Sequence, residues 1–114
     1  MIKPRKSLKN PRHHAFVQQK GLCYYCGQPM WVESPQEITS KLKITSGQAK
    51  SLLCTGEHLT AHQDGGNSSR KNIVAACLCC NQRRHKRRVA PTPENYKALI
   101  KRRLEQGRWH NFVT

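Results

Sequence analysis

A chain of 114 residues, 36% hydrophobic and 6% aromatic, has the length of one domain, and its core must be thin enough to call for a staple such as a metal. Lys and Arg total 21 against 6 Asp and Glu, and the resulting net charge of +15 makes a polyanion the expected partner, bound in a salt-dependent way. No apolar run approaches the ~20 residues that span a bilayer, and MIKPRKSLKNPRHHAF lacks the apolar region of a secretory signal, so a cytoplasmic protein with no membrane partner is expected.

The charge is unevenly spread. Residues 1–22 carry six basic and no acidic side chains, residues 23–64 three basic and four acidic, and residues 65–114 twelve basic and two acidic. Basic ends therefore flank a near-neutral middle. In a reducing interior, the six cysteines point to metal binding or catalysis rather than to disulfides.

In chain order, residues 1–9 form a basic arm with nothing apolar to bury. Asn10-Pro11 offers an N-cap followed by Pro at the first helical position, and Gly21 a stop, which predicts a short helix with Ala15, Phe16 and Val17 toward the core. LCYYCGQPMWV reads as a cysteine knuckle leading into a strand at residues 30–32. Ser34-Pro35 starts a helix over residues 36–44, with Ile38 and Leu42 one turn apart, and residues 48–53 make a further helical turn. Residues 53–61 read as a strand that carries Glu57-His58. HQDGGNSSR is a polar loop with Asp64-Gly65-Gly66 as its turn, and NIVAA is a second, half-buried strand. CLCCNQRRHKRR is a helix with its cysteines at the start. A last helix runs from about Pro93 to Gln106, with Tyr96, Leu99, Ile100 and Leu104 on one face, Lys97, Lys101, Arg102 and Arg108 on the other, and Gly107 as the stop.

Cys23 and Cys26 form one C-x2-C pair and Cys77 and Cys80 another, the four thiolates that a tetrahedral structural Zn2+ requires. Such a metal would tie together two distant parts of the chain. Cys79 competes with its neighbours for a role that the spacing assigns to Cys77 and Cys80. Cys54 reads as a small core residue, and His13, His14 and His110 read as surface residues.

The order Cys23/Cys26, Glu57-His58, Asn72, Cys77/Cys80-Asn81 resembles that of the HNH endonucleases, over about residues 20–90. The resemblance implies an α+β fold with a small ββα-metal core, flanked here by the arm and short helix of residues 1–20 and by the basic helix and tail of residues 91–114, in a single domain. It also implies an active site. Hydrolysis of a phosphodiester needs a deprotonated water and a cation that neutralises charge on the phosphoryl and leaving oxygens. His58 is suited to be the base, since an ordinary imidazole is largely neutral at pH 7. On spacing alone Asn72 is equally a turn residue and a pin for the loop that orients His58; the resemblance selects the pin.

Glu57 and Asn81 are the expected oxygen ligands of the catalytic ion, and His85, four residues along a helix from Asn81, is available as a third. Mg2+ suits the two oxygens, whereas use of His85 favours Mn2+, Co2+, Ni2+ or Zn2+. Here Glu57 stands where relatives more often carry Asp, and Asn81 where they often carry His. Arg70, Lys71, Arg83, Arg84, Lys86, Arg87 and Arg88 read as phosphate contacts. The expected function is a metal-dependent endonuclease acting on DNA, in all expectation double-stranded. Its rivals are a non-catalytic zinc-stapled nucleic-acid-binding module and an RNase on the same scaffold.

Overall fold

The computed structural model describes residues 9–60 and 69–113. Most of the N-terminal arm, the Asp64-Gly65-Gly66 turn and His62 lie outside the described residues. The described elements are α1 (Lys9–Gln18), α2 (Gln36–Leu42), α3 (Ser46–Ala49) continued by a 3-10 turn (Lys50–Leu52), β1 (Cys54–His58), β2 (Ile73–Cys77), α4 (Leu78–His85) and α5 (Pro93–Glu105).

β1 and β2 pair antiparallel in a two-stranded sheet, with Cys54 opposite Cys77 and His58 opposite Ile73. β2 passes into α4 without a loop: Cys77 ends the strand and, in extended conformation, caps the helix, its Sγ accepting from the Cys80 N–H. The result is the ββα unit expected from the sequence. Two side-chain amides extend its short ladder, because an amide, like a peptide group, offers one donor and one acceptor side by side. Gln19, just beyond α1, donates to Ala75 O at 2.8 Å and accepts from Ala75 N at 3.0 Å, which covers part of the outer edge of β2. Asn72 accepts from Thr60 N at 2.8 Å and donates to Thr60 O at 3.0 Å, which closes the base of the loop.

α1 packs against both strands. Its Ala15 is buried, but Val17, expected in the core, is 56% exposed. The helix is short, and its position 17 turns away from the sheet. The strand expected at residues 30–32 is reduced to isolated bridges, Leu22 with Pro29 and Trp31 with Leu53, because this segment runs beside the end of the sheet for too few residues to build a ladder. α2 ends at Leu42, where Lys43 adopts a left-handed φ of 53° that terminates the helix earlier than expected.

The core joins Leu52, Met30, Ile38 and Ala49 from the segment between the cysteine pairs to Ala75 and Ala76 of β2 and to Tyr96 and Ile100 of α5. Tyr25, Tyr96 and Trp109 form an edge-to-face chain with centroid separations of 4.9 and 6.0 Å. The Tyr96 hydroxyl donates to Cys80 O at 2.6 Å, so α5 is fastened to the first turn of α4. None of the described helices is long and apolar enough to cross a membrane.

Candidate metal centres and nuclease site

The two knuckles converge. The Sγ atoms of Cys23, Cys26, Cys77 and Cys80 lie within 4.8 Å of one another, and all four residues are buried. On the first knuckle, Gly27 has φ 74°, a left-handed value that lets its N–H turn back to Cys23 O at 3.0 Å and aims both thiols inward. The second knuckle is the strand-to-helix junction itself. Backbone and indole N–H groups already point at the sulfurs: Cys77 N to Cys23 Sγ at 3.3 Å, and Trp109 Nε1 to Cys80 Sγ at 3.3 Å. Donors of this kind stabilise metal-bound thiolates.

Electrostatics points the same way. The thiol of Cys26 is held far below its ordinary range by hydrogen bonds from Cys23, Cys77 and Cys80. That of Cys80 is pushed far above it by Cys23, Cys26 and Cys77. Thiolates this close repel one another, so the four cannot ionise together by themselves; a dication among them would let all four ionise. The donor set and closed geometry are those of a structural Zn2+ site.

Cys79 and Cys54 stay outside the cluster as buried free cysteines. His110, expected on the surface, has both ring nitrogens buried and stacks on Phe112 with centroids 4.9 Å apart. Nothing in the local sequence announced this, since the burial comes from the tail folding back after Trp109.

A second cluster gathers on the face that β1 turns toward α4. Asn81 donates its amide N–H to Thr55 Oγ1 at 2.9 Å and to Gly56 O at 3.4 Å. One turn further along α4, His85 Nε2 meets Glu57 Oε1 at 2.8 Å. Glu57 is 1% exposed, while the His85 side chain is 38% exposed, so the pair opens to solvent on the His85 side. The other carboxylate oxygen, Oε2, faces Arg84 Nη1 at 3.3 Å and the Tyr25 hydroxyl at a long 3.4 Å. Burial, then the charge of Glu57, raises the Tyr25 phenol above its ordinary range, which keeps it a neutral donor. Tyr25 sits inside the first knuckle, so the cysteine cluster and the Glu57 site share a wall. Residue type and spacing had singled out Glu57, Asn81 and His85 but not Tyr25, whose hydroxyl meets Glu57 across a sequence distance of 32 residues.

His58 closes β1 and lies in the register opposite Ile73. Immediately after it, Leu59 N donates to Asn72 O at 2.9 Å, and the Asn72 amide holds Thr60 as described above. Asn72 thus makes the bonds of a loop pin.

The basic residues divide. Arg70, Lys71, Lys86, Arg87 and Arg88 are exposed. Arg83 is exposed too, but its guanidinium lies 4.7 Å from the Trp109 ring centroid and donates to Trp109 O at 2.6 Å, which holds the tail on α4. Arg84, expected as a phosphate contact, is 4% exposed and turned into the protein. The expectation fails at this position because the side chain faces β1, where Glu57 and the carbonyls of His58 and Leu59 take its donors.

A two-stranded antiparallel sheet running into a helix, with four cysteines gathered at the junction, defines a small ββα-metal protein. The family model for the HNH endonucleases matches residues 23–87, more than half of the chain, and the chain belongs to that family. No curated protein matches it. At the level of the family, membership implies metal-dependent nuclease activity on nucleic acid.

Proposed function

We propose that this protein is an endonuclease that hydrolyses DNA phosphodiester bonds with His58 as general base. The observation that carries the reading is the convergence of Glu57 Oε1 and His85 Nε2, 2.8 Å apart, on the strand that ends in His58. That separation fits two neighbouring ligands of one divalent ion, since ligand distances of about 2.0–2.2 Å at right angles set donor atoms about 3 Å apart. Glu57 and His85 would hold the ion, with Asn81 offering its carbonyl oxygen from one turn earlier on α4. A divalent ion bound there supplies positive charge to the phosphoryl oxygens and the departing oxygen.

The chain's own part is positional and acid–base. His58 takes the proton of the attacking water, which must lie in line with the leaving 3′ oxygen; the family resemblance implies 5′-phosphate and 3′-hydroxyl ends. Asn72 holds the loop that follows His58. The exposed Arg70, Lys71, Lys86, Arg87 and Arg88 contact backbone phosphates, which orients the duplex without reading its sequence. His85 as a nitrogen ligand favours Mn2+, Co2+ or Ni2+ beside Mg2+.

Plasmid nicking tests the reading, with Mg2+ or Mn2+ added, EDTA as control and RNA offered in parallel. Wild type should cut DNA, and His58→Ala should lose at least 100-fold in rate, the scale of general-base catalysis, while binding DNA unchanged. Equal inactivity of both proteins, with binding intact, would mean a binding module instead. Preferential cutting of RNA would move the substrate assignment.

A further inference from the structure

We infer that Arg84 is the positioning residue of this nuclease site, setting both the His58 backbone and the orientation of the Glu57 carboxylate; the inference rests on the nuclease reading above. The guanidinium reaches four acceptors. Nη1 donates to His58 O at 3.0 Å and to Glu57 Oε2 at 3.3 Å, Nη2 to Leu59 O at 3.1 Å, and Nε to Pro91 O at 3.0 Å. Cys79, Cys80 and Arg84 are the buried residues of α4, and Arg84 alone among them carries a charge.

The place of this group follows from the sheet. Ladder pairing stops at His58 opposite Ile73. At this end of the strand the carbonyls of His58 and Leu59 accept from Arg84 at 3.0 and 3.1 Å. Both donors belong to one plane, which fixes the peptide groups on either side of Leu59. With the peptide after His58 held in place, the direction in which its imidazole leaves the strand is held as well. A shift of about 1 Å at a catalytic group is enough to cost roughly 100-fold in rate.

The same nitrogen that holds His58 O also holds Glu57 Oε2. That contact occupies Oε2 and leaves Oε1 as the oxygen that meets His85. One side chain therefore couples the base to the metal-ligating carboxylate and ties both to Pro91 after α4. Lysine cannot substitute for it. A single ammonium has the charge but not the planar fork, so it cannot serve four acceptors spread along two segments.

The test uses the full-length, zinc-loaded protein and compares wild type with Arg84→Lys. The measurements are plasmid nicking across a Mg2+ titration, DNA affinity without Mg2+, zinc content and thermal melting. Loss of an outer partner of a metal ligand typically costs about 10–100-fold in activity or metal affinity. Arg84→Lys should lower kcat, or raise the half-saturating Mg2+ concentration, by that factor, with DNA affinity and zinc content unchanged. A folded variant whose kcat and Mg2+ requirement match wild type overturns the inference and leaves the nuclease reading standing. Weakened DNA affinity at an unchanged kcat would also overturn it, because it would return Arg84 to a phosphate contact.

Where Arg84→Lys does not fold, wild type alone decides through the 15N signals of its arginine side chains. The Arg84 Nε–H, shielded from solvent, should move on Mg2+ addition with the midpoint seen in activity; an unmoved signal overturns the inference. A wild type that cuts neither DNA nor RNA with any divalent ion removes the nuclease reading, and this inference with it.

Discussion

Removal of the cysteine-bound metal should unfold this protein rather than loosen it. The cluster is the centre of the core: Cys77 and Cys80 are each 0% exposed, Cys23 3% and Cys26 8%. The Tyr96 hydroxyl and the Trp109 indole, which seat α5 and the tail, both bond to Cys80. A structural zinc contributes on the order of 10 kcal/mol or more to folding, against a net stability of about 5–15 kcal/mol for a whole domain. The metal-free chain must also bury four thiols within 4.8 Å of one another with no cation between them. The two terms together leave no folded apo state at 25 °C. The assay is far-UV circular dichroism and thermal melting of protein stripped with a strong zinc chelator, with released metal quantified and Cys80→Ser run beside it. Both samples should lose the cooperative transition and, with Mg2+ in excess, the nicking activity. Zn2+ should restore the stripped wild type. A verified metal-free protein that still melts cooperatively within a few degrees of the loaded form would refute the reasoning.

Two further outcomes follow from the core. Leu52 is 0% exposed and packs in the core cluster between the cysteine pairs, so Leu52→Ala should cost about 2–5 kcal/mol in denaturant unfolding of the zinc-loaded protein. The Cys54 thiol, pushed up to about 11 chiefly by burial, stays protonated and should resist iodoacetamide at pH 8 until the protein is unfolded. Because the fold disfavours its thiolate, Cys54 subtracts nothing from stability below its ordinary value of 9.0, and stability should fall as pH rises from there through about 11. Cys54→Ala should flatten that decline.

Much of the site was legible because its chemistry is local. C-x2-C spacing brings two thiols to one turn whatever surrounds them. Four residues along a helix place Asn81 and His85 on one face, and the contacts with Thr55 and Glu57 bear that geometry out. Gly107 and the Pro93 start of α5 are likewise local signals, read from the conformations those residues favour.

What could not be read were relations across the chain. Arg84 looks the same in sequence as Arg83, Arg87 or Arg88, and all four read as phosphate contacts. Only the packing of α4 on β1 decides that residue 84 faces a buried carboxylate and two carbonyls at the end of a ladder, while Arg87 and Arg88 are exposed. Tyr25 meets Glu57, Gln19 covers part of the edge of β2, and the ring nitrogens of His110 are buried for the same reason. By itself the sequence determined the ligand types, their pairing in short spacings and the ββα order, because covalent reach and helical period set these. The tertiary structure decided which charges are buried, because burial depends on what lies opposite, and opposite residues are brought together only by the fold.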